Sequence, residues 1–223
     1  MNLILPDDLN RMFPIIMLIV NIILTISFNL PIYNIINFYF NYKINHILKN
    51  NVFKHFMKNN KLPILGYGIR PKGASDCGNF RASLFNSSIK PKLSTSYGFP
   101  SGHSQTAGFF IAFIFNNFSN NYNILLPSLI YSLYSAYSRV ILGCHTIEQV
   151  IFGYIFGIIS YYLLEFIYLN LIKLANYILF KFKNNKNLNN KNQNNKNQNN
   201  KNQNNKNNSK IQNNIDREMY DNL

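Results

Sequence analysis

"PIIMLIVNIILTISFNLPIYNIINFYFNYKINHILK", residues 14–49, carries no charge before Lys43. A helix of a soluble domain keeps a polar face opposite its apolar stripe, so a run this long and uncharged points to a different solvent. Residues 14–30 are apolar almost throughout, close to the roughly 20 residues that cross a hydrocarbon layer. Pro31 marks a break, and residues 31–49 read as a second, more polar helix running back, because proline is tolerated where a helix begins.

The same pattern recurs further on. There is no charge between Lys92 and Arg139, and from Val140 to Ile172 the only charges are Glu148 and Glu165. A third span is expected from just after Pro100 to about Phe118, a fourth over 123–142 and a fifth over 146–172. The fold predicted is all-α, a multi-pass transmembrane helical bundle of five to six spans. Gly153 and Gly157, four apart on the fifth span, would let a neighbouring helix approach closely. Residues 50–98, rich in Gly, Pro, Ser and Asn, read as one long loop, and loops of that length are usually functional or disordered. After Phe182 a five-residue repeat of Asn, Lys and Gln has no apolar face to bury and is expected to be disordered. The domain boundaries expected are therefore a membrane-embedded domain over 1–182, with its motifs within 49–149, and a low-complexity tail over 183–223.

The formal charge of +14 excludes little by itself, because nucleic-acid binders are basic too. Its placement is more telling: ten Lys or Arg lie between Lys43 and Lys92 and ten more from Lys173 onward, flanking spans as lipid headgroups favour. No nucleic-acid partner is expected. The start of the chain has Asp7 and Asp8 where a signal peptide is positive, so the first apolar run reads as a retained span. The positive-inside rule does not orient the bundle, since both sides carry ten basic residues. A glycosylation sequon at Asn86 and the need for loop cations at a phosphate lean towards a lumenal site, in the endoplasmic reticulum or a related endomembrane, with a cytosolic tail. Two cysteines, Cys77 and Cys144, are too few for a framework; they read first as unrelated thiols, and as a pair only if both face an oxidising side.

Alternation of the spans brings three polar clusters to one side: "GIRPKGASDC" (68–77), "GFPSGHSQ" (98–105) and "YSRVILGCHTIEQV" (137–150). Arg70 and Arg139 offer planar forks suited to phosphate oxygens. Ser101 and Gly102 open a helix whose unpaired N–H groups make an anion site. Arg139 lies among apolar residues, where a charge is expensive unless paired or wet. His145 precedes Gln149 by four residues, so on a helix they share a face and the amide oxygen can hold one ring nitrogen. The other nitrogen is then free to attack phosphorus, and His103 is available to donate and accept protons. His46 and His55 lack such context and read as structural, and Asp76 reads as a local partner for a Lys or Arg.

In order and spacing these residues resemble the type 2 phosphatidic acid phosphatase superfamily: Arg70-Pro71, then Pro100-Ser101-Gly102-His103, then Ser138-Arg139 with five residues before His145. The resemblance, over roughly 30–165, implies a six-helix core and metal-free phosphoester hydrolysis without a cofactor. It implies His145 as nucleophile, His103 as acid and base, and Lys49, Arg70, Ser101, Gly102 and Arg139 as phosphate ligands. Two departures stand out. The position seven before Arg70 is Pro63, so Lys49, within "NHILK", is taken as the first-motif lysine, with Lys61 the nearer alternative. Gln149 stands where most members carry Asp, and "HTIEQV" is similar to the dolichyldiphosphatase branch. That branch implies a polyisoprenyl diphosphate substrate; a glycerolipid phosphate, or non-catalytic binding of acidic lipid, are the alternatives.

Overall fold

The computed structural model describes residues 6–58, 60–78 and 91–183. The Asn86 sequon, Arg81, Lys90 and the repeat from residue 184 lie outside the described residues. The chain divides into two units, Met1–Ile167 and Tyr168–Leu223; the described part of the second, 168–183, is helical.

The first unit is mostly helical. Helix α1 (Pro6–Ser27) is followed at Leu30–Pro31 by a tight connection into α2 (Tyr33–Ile47). A π-helical turn, Leu48–Phe53, carries the chain into the short α3 (Lys54–Met57). A two-stranded antiparallel hairpin, β1 (Lys61–Leu62) and β2 (Gly66–Tyr67), then pairs Lys61 with Tyr67 and Leu62 with Gly66. Helices α4 (Gly102–Phe118), α5 (Tyr122–Ile141) and α6 (Ile147–Lys183) complete the fold.

Two expectations change. Helical structure continues to Met57 where a loop was read from residue 50: the paired asparagines at 50 and 51 look like a turn, but Phe53 packs edge-on to Phe99 and Met57 is fully buried. Burying those two side chains compensates for the weak helix propensity of asparagine. The last helix also runs on to Lys183, past the limit expected near 172.

Helix α4 lies at the centre, packed on α1, α2 and α5, and its residues from His103 to Ile114 are all buried. Phe109, Phe110, Phe113 and Ile114 form the apolar middle with Met17, Phe38 and Tyr161. Against α6 the contact is backbone to backbone: a methyl group at Gly108 would collide with the Tyr154 carbonyl, and one at Gly157 with that of Gln105. Glycine is required there by close approach.

Among the described residues two helices are long and apolar enough to cross a membrane, Asp8–Ser27 and Ile147–Lys183. The distribution of polarity is inverted relative to a soluble bundle. Ile19, Ile23 and Ile26 of α1, Leu126, Ile130 and Leu133 of α5, and Ile151, Ile155 and Ile159 of α6 are exposed. Asn21, Asn34, Asn37 and Asn41 are buried instead. In water such a surface would associate or aggregate; against lipid it is at home.

Candidate active site

The nucleophile expected from the sequence sits in a turn that its spacing dictates. Helix α5 ends at Ile141, and Gly143 takes a left-handed backbone with φ 62°, which glycine adopts without strain. The chain thereby doubles back so that the Arg139 carbonyl accepts the N–H groups of both Cys144 (3.0 Å) and His145 (3.1 Å). Five residues between Arg139 and His145 are what this closure needs.

His145 is then held from its ring. Gln149 Nε2 donates to the carbonyls of Tyr67 and Ile69, both at 2.7 Å, so its Oε1 is fixed as the atom facing His145 Nδ1 at 2.9 Å. The bonding assigns the Nδ1–H tautomer and leaves the Nε2 lone pair in place. Arg70 Nη1 stands 2.9 Å from that Nε2 and caps it. Burial first, then the charges of Arg70, Lys49 and Arg139, hold His145 well below the usual imidazole range; the bond to Gln149 works in the opposite direction. Gly98 packs against the Gln149 amide so closely that a methyl group there would lie 2.7 Å from Nε2.

The start of α4 supplies the second imidazole. Ser101 caps the helix, its Oγ accepting from the Ser104 hydroxyl at 2.9 Å, while its N–H donates to the Gln149 carbonyl at 3.0 Å. The two histidine-bearing segments are thus joined through backbone. His103 Nε2 lies 3.0 Å from the carbonyl of Arg11 in α1, which makes Nε2–H the donor.

A cavity of about 790 Å³ opens over these groups. Lys49, Arg70, Gly102, His103 and His145 line it; Ser101, Arg139 and Gln149 do not, and lie fully buried behind its wall. Lys49 is released toward the cavity by the π-helical turn, an irregularity common at functional sites, whereas Lys61 is exposed on the hairpin over the Tyr67 ring. Arg70 donates to Ser96 Oγ (3.0 Å) and the Cys144 carbonyl (2.9 Å), and burial lowers it to about 10, still cationic at neutral pH. Arg139 has no exposed surface; its Nη2 donates to the Cys77 carbonyl at 2.8 Å, and among the described residues its Nε and Nη1 have no partner. Unpartnered N–H groups on a buried cation carry a desolvation penalty that an incoming anion removes.

The cysteines, read first as unrelated thiols, form a disulfide, with their Cα atoms 5.6 Å apart and a sequence separation of 67. The turn that sets His145 delivers Cys144 to Cys77, so both cysteines lie beside the site. The Cys77 carbonyl holds Arg139 and the Cys144 carbonyl holds Arg70, so the bridge joins the two arginine anchors. Asp76 is buried next to it, accepting the Lys92 N–H on Oδ1 at 3.0 Å and the Arg11 guanidinium on its carbonyl.

Several cavity residues escape sequence reasoning. Asn45 donates to Gln105 Oε1 at 2.8 Å and packs against Gly102; its only signal is a place one helical turn before Lys49. His46, left without a role, lines the rim together with Lys92. Among the described residues no three His, Cys, Asp or Glu side chains gather as a metal site.

A helical scaffold that gathers lysine, arginine and two imidazoles around one cavity is chemically suited to phosphate groups. The chain belongs to the PAP2 superfamily, whose family model matches residues 37–172. Members of that superfamily are phosphatases. No solved structure matches the chain.

Proposed function

We propose that this is a multi-pass membrane phosphatase hydrolysing a lipid phosphate or diphosphate through a phosphohistidine, with the site on a non-cytosolic face. The buried Arg139 carries the reading: among the described residues its Nε and Nη1 have no partner, and a phosphate is the anion that would complete it.

In the reaction, His145 Nε2 attacks phosphorus once Arg70 turns from that nitrogen to the phosphate oxygens. The P–N bond forms as the bond to the leaving oxygen breaks, and His103 gives that oxygen its proton. Nδ1–H of His145 stays on Gln149 Oε1, which orients the imidazolium that forms. In the second step His103 takes a proton from water, the hydroxide oxygen attacks phosphorus, and the electron pair of the P–N bond returns to Nε2. Lys49, Arg70, Arg139 and the first N–H groups of α4, at Gly102, neutralise the oxygens of the transition state.

Exposed apolar faces on α1, α5 and α6 support lipid surroundings, and a disulfide beside the site supports an oxidising compartment such as the lumenal side. A polyisoprenyl diphosphate is the first substrate class proposed. Gln149 is the motif feature behind that choice, and Lys92 at the rim adds a positive group beyond those one phosphate requires.

The test is phosphate release by detergent-solubilised full-length protein from polyisoprenyl diphosphate and from phosphatidic acid, with EDTA present and His145→Ala as control. Release from either lipid, abolished in the variant, is expected, with the diphosphate preferred. No release from either, or an unimpaired variant, overturns the reading.

A further inference from the structure

The match to the superfamily starts at residue 37, yet α1, over Pro6–Ser27, reaches the site. We infer that Arg11 is a positioning residue for proton transfer: its side chain anchors α1, and its own carbonyl holds His103. This rests on the reading of His103 as the proton donor given above.

Arg11 is buried, and its guanidinium donates to the Asp76 carbonyl, 65 residues away. On the same residue the backbone oxygen lies 3.0 Å from His103 Nε2. Pro14 lies one turn further along α1. Proline has no N–H for the carbonyl four residues earlier, here that of Asn10, the neighbour of Arg11. Pro14 itself lines the cavity. Helix α1 thus contributes a wall of the site and the hydrogen bond that sets an imidazole.

The consequence is a choice of nitrogen. Nε2–H of His103 remains on the Arg11 carbonyl throughout, so Nδ1 exchanges protons with substrate. In the first step the Nδ1–H bond breaks as the O–H bond of the leaving alcohol forms, and His103 passes from imidazolium to neutral. In the second step Nδ1 regains a proton from water. The carbonyl stabilises the charged form and fixes the ring plane, and displacement of α1 removes both effects. Removing the Arg11 side chain should not release the phosphate side. The Cys77–Cys144 bridge and the Asp76 pairing with Lys92 still hold the Cys77 carbonyl on Arg139.

The experiment compares kcat/KM of full-length wild type, Arg11→Ala and Arg11→Lys on two phosphate monoesters. Dodecyl phosphate leaves as an alkoxide and needs the acid; p-nitrophenyl phosphate leaves as a stable phenolate and does not. Loss of a general acid is felt at roughly 10² to 10⁴. We expect Arg11→Ala to lower the dodecyl rate about a hundredfold and the p-nitrophenyl rate less than about threefold, with partial recovery in Arg11→Lys. Equal losses on both esters, or no loss on either, overturns the inference. If Arg11→Ala does not fold, the same ratio in Arg11→Lys decides. A wild type inactive on both esters and on the lipids refutes the phosphatase reading itself, a different outcome.

Discussion

Two sides of the cavity are built by opposite means. On the α5–α6 side, Arg139, His145 and Gln149 fall within eleven residues, and one carbonyl accepting two N–H groups closes the turn that arranges them. On the other side, Lys49 and Arg70 stand on a π-helical turn and an irregular segment that is fixed from a distance. It is tied by Cys77 to Cys144 and by Ser94 N–H to the Ala74 carbonyl at 2.9 Å. A local turn keeps its geometry under most changes, whereas distant ties fail one at a time. The geometry of the proposed nucleophile should therefore be robust, and the proposed phosphate capture should be the sensitive function.

Four experiments break or sharpen this contrast. His145→Ala is expected to reduce turnover by about 10³-fold or more while leaving thermal stability near wild type; substantial residual turnover would move the nucleophile elsewhere. Arg139→Met is expected to lower turnover by about 10² to 10³ yet raise the stability of the unliganded protein by about 1 to 4 kcal/mol, because an apolar side chain replaces a buried, half-partnered charge. A lower melting temperature in that variant would make the guanidinium a structural strut.

Cys144→Ala opens a loop of 67 residues, and a chain-entropy estimate puts the loss at about 4 kcal/mol. It should weaken substrate binding more than it slows chemistry, and dithiothreitol should reproduce it in wild type; a change in kcat alone would contradict the division of labour between the two sides. Smallest is the effect of Gln149→Glu. The proposed nucleophile His145 reacts in its neutral form and is held low by burial, so the acid limb of kcat/KM should lie below the ordinary imidazole value near 6.5. A carboxylate at 149 gives up the two bonds that Gln149 Nε2 donates to the Tyr67 and Ile69 carbonyls, but it stabilises the imidazolium and should move that limb upward by about one pH unit. Stability follows the same sign: as pH falls below about 6.5 the unfolded chain takes up a proton that the native His145 refuses, so the fold weakens in acid.

How much the sequence discloses follows the same division. The α5–α6 turn was legible because its determinants are adjacent: the spacing from Arg139 to His145 and the helical offset to Gln149 each have a local meaning. Helices α4 and α5 were legible within a residue or two for the same reason, since Pro100, Ser101 and the polar residues at 119–123 bracket them. The segment after Lys49 was not, because Phe53 and Met57 make it helical only through partners such as Phe99 and Phe156. Nor could composition pair Cys77 with Cys144 or Arg11 with Asp76, contacts separated by 67 and 65 residues. Span counting from hydropathy also falters here. The second helix hides its asparagines inward, and α4 is too enclosed by its neighbours to need a fully apolar surface.

The seam of glycines between α4 and α6 has a consequence for how the site can vary. Gly108 on α4 and Gly153 and Gly157 on successive turns of α6 are pressed against opposing backbone, and no side chain can be inserted without separating the helices. His103 and Gln149, which holds His145, are carried on these two helices, so the distance between the two imidazoles is welded, like the jaws of a fixed-gap gauge. Any adaptation to a different headgroup must be made on the opposite wall. That is the wall on which Lys49 and Arg70, twenty-one positions apart in sequence, share one cavity.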